Sequence, residues 1–208
     1  MQTRSIIAIW MGAAFCAAFA LAAGILVIFG DGKDGIHASL RGTARLGFVF
    51  FWLAYAGGAL AALFGPRFQP LKRHGRELGL AFAAVLLVHL GLVAWLCLID
   101  AAPGRSTFIV FGSAAASAYL LVLFSIGSLQ RALGRIGWRL LRTIVMNYLL
   151  YAFALDFLGH PLHGDLGTMV LYGPFVLLVF IGPSLVLGAL LQRAARQWRG
   201  YRTESIQS

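Results

Sequence analysis

The sequence predicts an all-α integral membrane protein, a bundle of six transmembrane helices in one domain spanning residues 1–208, with both termini cytoplasmic. Three observations predict it. First, hydrophobic residues make up 60% of the chain and charged residues only 12%, with a mean hydropathy of +0.84. A soluble globular domain carries about a quarter charged residues. Second, six apolar stretches approach or exceed the roughly 20 residues that a membrane-spanning helix needs. Third, the charges are lopsided, 17 Lys+Arg against 7 Asp+Glu, and they fall between the apolar stretches rather than within them. Nucleic-acid recognition would need those basic residues on one soluble face, so no nucleic-acid partner is expected.

The expected spans are residues 6–29, 46–64, 78–99, 108–126, 140–158 and 169–191. The first is too long for the apolar core of a signal peptide, which runs 7–15 residues. Turn-rich breaks separate the spans: Gly30-Asp31-Gly32, Gly65-Pro66, Ala102-Pro103-Gly104 and Gly159-His160-Pro161. With the N-terminus inside, 13 of the 17 basic residues fall on the inner side and only Lys33, Arg41, Arg45 and Arg105 on the outer side. That is the positive-inside pattern, and an odd number of spans would break it. The excess of Arg over Lys, 15 to 2, with abundant Ala and Gly, points to a GC-rich bacterium and hence to its inner membrane.

Small residues mark expected packing faces. The fourth span carries Gly112, Ser113, Ala116 and Ser117, and the sixth carries Gly182, Ser184 and Gly188. Such residues let helix backbones approach closely in lipid. Cys16 and Cys97 lie inside apolar runs and are expected as small core residues.

The segment Arg73-His74-Gly75-Arg76-Glu77-Leu78-Gly79-Leu80, running on to Leu87-Val88-His89-Leu90, resembles the third helix of the ferric-reductase-like transmembrane family. It is similar in particular to the haem-binding membrane subunits that serve bacterial methionine sulfoxide reductases. Two further stretches agree: Leu40-Arg41-Gly42-Thr43-Ala44-Arg45-Leu46 with the approach to the second helix, and Leu133-Gly134-Arg135-Ile136-Gly137-Trp138-Arg139-Leu140-Leu141 with the approach to the fifth. The resemblance spans about residues 37–158. It implies a six-helix bundle and a haem-ligating role for His89. The family's fifth helix also carries two histidines, and here those positions hold Arg142 (or Thr143) and Leu155 or Asp156.

A low-spin b-type haem wants two axial ligands at one depth on facing helices. His89 lies about 18 Å from Glu77 at the inner edge, and Met146 about 10 Å into the fifth span. His74 lies about 22 Å from His89, where it could serve only a second, inner haem. No second axial ligand is therefore in place. The other reading of His89 is a buried neutral histidine hydrogen-bonded to a neighbouring helix, and a quinone, pigment or lipid contact is a third use.

His160, His163 and Asp165 have the ligand types of a divalent metal site, interrupted by Pro161. The alternative is an outer loop at the lipid–water boundary. Asp156 and His160 are spaced to share a helix face. Arg142 sits about one turn inside the fifth span, from where it can snorkel to the inner interface, or pair with a lipid headgroup or neighbouring subunit. The run of arginines within residues 192–202, with Trp198 and Tyr201, reads as an interfacial helix end held by anionic lipid.

No phosphate-binding glycine loop, nucleophile elbow, zinc-protease motif or paired intramembrane carboxylates are present. The expectation is a haem-free accessory or structural subunit of a larger membrane complex, built on a ferric-reductase-like bundle that has lost haem ligands. The alternative is a b-type-haem subunit passing electrons from quinol or a flavoprotein to an extracytoplasmic partner.

Overall fold

The computed structural model describes residues 2–126, 129–159 and 166–207, with side chains at 5–125, 129, 131–159 and 169–198. The described residues form seven α-helices and one 3₁₀ turn, and no strand. They are α1 (Gln2–Phe29), α2 (Lys33–Phe64), the 3₁₀ turn (Pro66–Phe68), α3 (Gln69–Arg73), α4 (Gly75–Leu98), α5 (Arg105–Ile126), α6 (Leu129–Gly159) and α7 (Leu166–Gln207). All except α3 contain a stretch long and apolar enough to cross a membrane, which makes six candidate spans and suggests a multi-pass membrane protein. His160, His163 and Asp165 lie outside the described residues.

Three helices exceed the expected spans by more than ten residues. α2 begins at Lys33, thirteen residues before the apolar run at 46. Nothing between Gly32 and Leu46 breaks a helix, and Asp34 in the first turn complements the positive helix end. Gly35, Ile36, Ser39 and Thr43 recur at helical spacing on the buried side, so this polar-looking stretch is amphipathic helix rather than loop. α6 begins at Leu129 and bends at Gly134, whose φ of 65° and ψ of 175° are open essentially to glycine alone. α7 runs on to Gln207 and keeps its helix through Pro174 and Pro183. One turn before Pro183, the Leu178 carbonyl accepts the Trp52 indole N–H at 2.8 Å. This bond ties α7 to α2.

α1, α2 and α4 pack around Ala14, Ala18 and Ala22, which face Ile36, Ala81, Ala84, Val85 and Val88. The four-residue spacing of those alanines gives α1 a flat face and a close approach to its neighbours. Cys16, expected in the core, lies on the exposed side of α1, because the alanine face points the other way. A second cluster joins α2, α4, α6 and α7 through Phe48, Phe51, Phe82, Phe153, Phe157 and Phe175. Phe48 meets Phe153 and Phe157 edge-on, at centroid distances of 5.1 and 4.9 Å.

Of the small residues of α7, Gly182 and Gly188 pack as expected, whereas Ser184 is exposed and bonds only the Phe180 carbonyl of its own helix. A Cβ on Gly182 would stand 3.1 Å from Trp52 Nε1, and one on Gly188 would touch Leu63. Those of α5 differ. Gly112 has open space around it, and Ala114, Ala115 and Ala118 form the buried face instead. Ser113 reaches α6 through its hydroxyl, 2.6 Å from that of Tyr148.

Ala18 is fully buried between α1 and α4, whereas Cys16 is exposed two residues away. Ala18→Leu is expected to overpack this interface by about 1–3 kcal/mol and lower the thermal unfolding midpoint in detergent. Cys16→Leu, on the outer face, is expected to leave the midpoint unchanged.

Candidate functional site

A cavity of about 610 Å³ opens between α2, α4, α5 and α6. Its volume is that of a small-molecule or cofactor site. The walls are mostly apolar, with Phe82, Val85 and Leu86 from α4, Phe111 and Ala115 from α5, and Leu149, Ala152 and Phe153 from α6. His89 and Thr43 are the polar side chains of its inner part. Asp34, His37, Arg41, Thr107 and Asp156 also line it, all near those ends of their helices that lie beside the α4–α5 connection. The cavity is therefore greasy within and charged at its mouth.

The chemistry of His89 is set by α2. Thr43 is buried, and its hydroxyl points back to the carbonyls of Ser39 at 2.9 Å and Leu40 at 3.1 Å. A hydroxyl has one proton, and a carbonyl can only accept. With that proton committed to α2, the hydroxyl presents a lone pair to His89 Nδ1, 3.0 Å away. In that arrangement Nδ1 carries the imidazole proton and Nε2 a lone pair, whereas a hydroxyl proton turned to Nδ1 reverses the tautomer. No described residue hydrogen-bonds Nε2.

This is the polar geometry of a histidine prepared to ligate a metal or to accept a proton-bearing group. Metal-ligating histidines fix their tautomer by donating the other ring N–H to a neighbouring oxygen. Across the cavity, the α6 wall presents Leu149, Ala152 and Phe153, with neither imidazole nor thioether. Met146 packs against the aromatic cluster and does not line the cavity.

The other singled-out residues fall in three places. Asp156 shares the cavity with His89, but lies three residues from the end of α6, while His89 lies nine from the end of α4. At 1.5 Å per residue that is about 9 Å nearer the mouth. His74 caps the opposite end of α4, half exposed, stacked on Trp10 at 6.0 Å and 4.0 Å from Glu77. It takes no part in the cavity. Arg142 is exposed on α6 beside Arg131, Arg135 and Arg139. Among the described residues no group of three His, Cys, Asp or Glu side chains could hold a metal ion.

Sequence reasoning missed Thr43, His37 and Arg41. A signal was present: Asp34, His37 and Arg41 recur at three and four residues, one helical stripe, but α2 was not expected to begin before Leu46. A scan against protein-family models and searches of curated proteins and solved structures found no match.

Selective ¹⁵N labelling of histidine tests the tautomer. His89 is expected to show a protonated Nδ1 and an unprotonated Nε2. Thr43→Val, which removes the hydroxyl at nearly constant shape, is expected to mix the two tautomers. An unchanged spectrum would show that Thr43 does not set the proton position.

Proposed function

We propose that the chain is a haem-free membrane subunit of a larger complex and that its cavity holds a quinol-class ligand against His89. The observation that carries this reading is His89, whose Nε2 has no hydrogen-bond partner among the described residues, in a cavity of about 610 Å³. A lone pair in an apolar pocket accepts a hydroxyl proton, and a quinol offers one on a flat ring. Phe82, Phe111 and Phe153 supply flat walls for such a ring. The absence of a second axial ligand across the cavity favours a quinol over a low-spin haem. The resemblance of residues 37–158 to the ferric-reductase-like family agrees with a redox setting. Among the described residues no group of three His, Cys, Asp or Glu side chains could hold a metal ion, and chemistry on the ligand would fall to partner subunits.

A second reading is a b-type haem held through His89 alone. It is supported by the bond between Thr43 and His89 Nδ1, which orients the ring's other nitrogen, and by Arg41 and His37 at the charged mouth, suited to a haem's carboxylates. The inner-membrane location, with the arginine-rich ends of the helices facing the cytoplasm, belongs to both readings.

The test is purification in mild detergent, a reduced-minus-oxidised spectrum, and organic extraction of bound ligand. The first reading expects no b-type band, an extracted quinone, and its loss in His89→Ala. A b-type band lost in His89→Ala would establish the second reading instead. A folded, colourless protein that neither yields nor binds added quinone would sink both. Co-purification from native membranes is expected to bring down partner subunits.

A further inference from the structure

The bend in α6 makes a second site, unrelated to His89. Gly134 interrupts the helix, and a cavity of about 530 Å³ forms there, lined by Arg131, Arg135, Arg139, Arg142, Gly134 and Trp138. Four arginine side chains thus line one concavity. Among the described residues none of the four has an ion pair or hydrogen bond, and the only salt bridge is His74–Glu77, elsewhere. Arginine offers a planar fork of donors that matches phosphate oxygens, so four unneutralised forks constitute a polyanion site. The helix that resumes after Gly134 adds the positive end of its dipole and first-turn N–H groups without intrahelical partners.

The surroundings say what kind of polyanion. Ile136, Leu140 and Ile144 are 75%, 58% and 65% exposed and follow one another every four residues on the same helix. This apolar stripe continues from the arginine cluster into the candidate span Arg131–Gly159. The half-buried Trp138 lines the same concavity as the arginines, where an amphipathic indole fits the interface. A ligand that satisfies both parts carries several negative charges at one end and acyl chains at the other.

We propose that the Gly134 bend binds the headgroup of an anionic phospholipid carrying two phosphates, of the diphosphatidylglycerol type, with its acyl chains along Ile136, Leu140 and Ile144. The second phosphate distinguishes it from the single-phosphate lipids that any basic interface attracts.

Native mass spectrometry of the delipidated protein, titrated with diphosphatidylglycerol, phosphatidylglycerol or phosphatidylcholine, tests this. Diphosphatidylglycerol is expected to bind most tightly, and each arginine removed to weaken it about fivefold. The triple variant R135Q/R139Q/R142Q should therefore lose well over tenfold. The control R193Q/R196Q, which removes charge from α7, should change affinity less than twofold. If the triple variant fails gel filtration as a folded species, R139Q alone supplies the comparison. Inorganic pyrophosphate provides the other arm. Displacement of the lipid by pyrophosphate at equal affinity would show a site for free phosphate and overturn the proposal. So would equal binding of the two anionic lipids, or unchanged binding to the arginine variants.

Discussion

Helix α2 must satisfy neighbours on several sides at once, and the rest of the bundle is arranged around that constraint. Its first half packs against α1 and α4 through Ile36, Ser39 and Thr43. Its second half meets α6 through Phe48 and Phe51 and α7 through Trp52 and Tyr55. α5 is the exception: it leans on α6 and α4 instead. Because α5 stands off from α2, a gap remains between them, and that gap is the cavity at His89. Ser39 and Thr43, the buried polar residues of the core, both lie on α2 and both have carbonyl partners. Where no water reaches, an unpaired hydroxyl would cost more than these bonds contribute.

The apolar runs of the sequence were sufficient to locate all six candidate spans, because twenty apolar residues have few other uses. The close approach of α7 to α2 at Gly182 was legible for the same kind of reason, since a missing side chain can be seen directly in a sequence. The start of α2 was not. Hydropathy registers how apolar a window is, and Lys33 through Arg45 is polar on average although one stripe of it is buried. The packing face of α1 was hidden in another way. Nearly every residue there is apolar, so nothing distinguishes Ala18, which packs, from Cys16, which does not. His89 stood out as a lone ionisable group, but its chemistry depends on Thr43, forty-six residues away in sequence and unremarkable as a residue type.

The arginines occupy two distinct environments. Arg45 lies over the Tyr172 ring, 4.4 Å from its centroid, and Arg76 donates to the Ser125 carbonyl at 2.7 Å. Both are tied into the bundle, one by an aromatic face and one by a bond joining the start of α4 to the end of α5. The arginines at the Gly134 bend have no such tether, and neither does the exposed Arg193 of α7. The positive charge of this chain is thus part structural and part available. That division is finer than the sidedness of the charges in the sequence.

The bond between Thr43 and His89 ties the two most central helices through the same ring that faces the cavity. Nδ1 and Nε2 belong to one conjugated system, so electron density drawn from Nε2 by a ligand makes the Nδ1 proton a better donor to Thr43. The helix pair and the ligand then become thermodynamically reciprocal. On the proposed quinol reading, whatever tightens the α2–α4 contact would raise affinity in the cavity, and occupation would stiffen the contact by the same factor. A partner that presses on either helix from outside would therefore sense whether the cavity is filled without ever touching its contents.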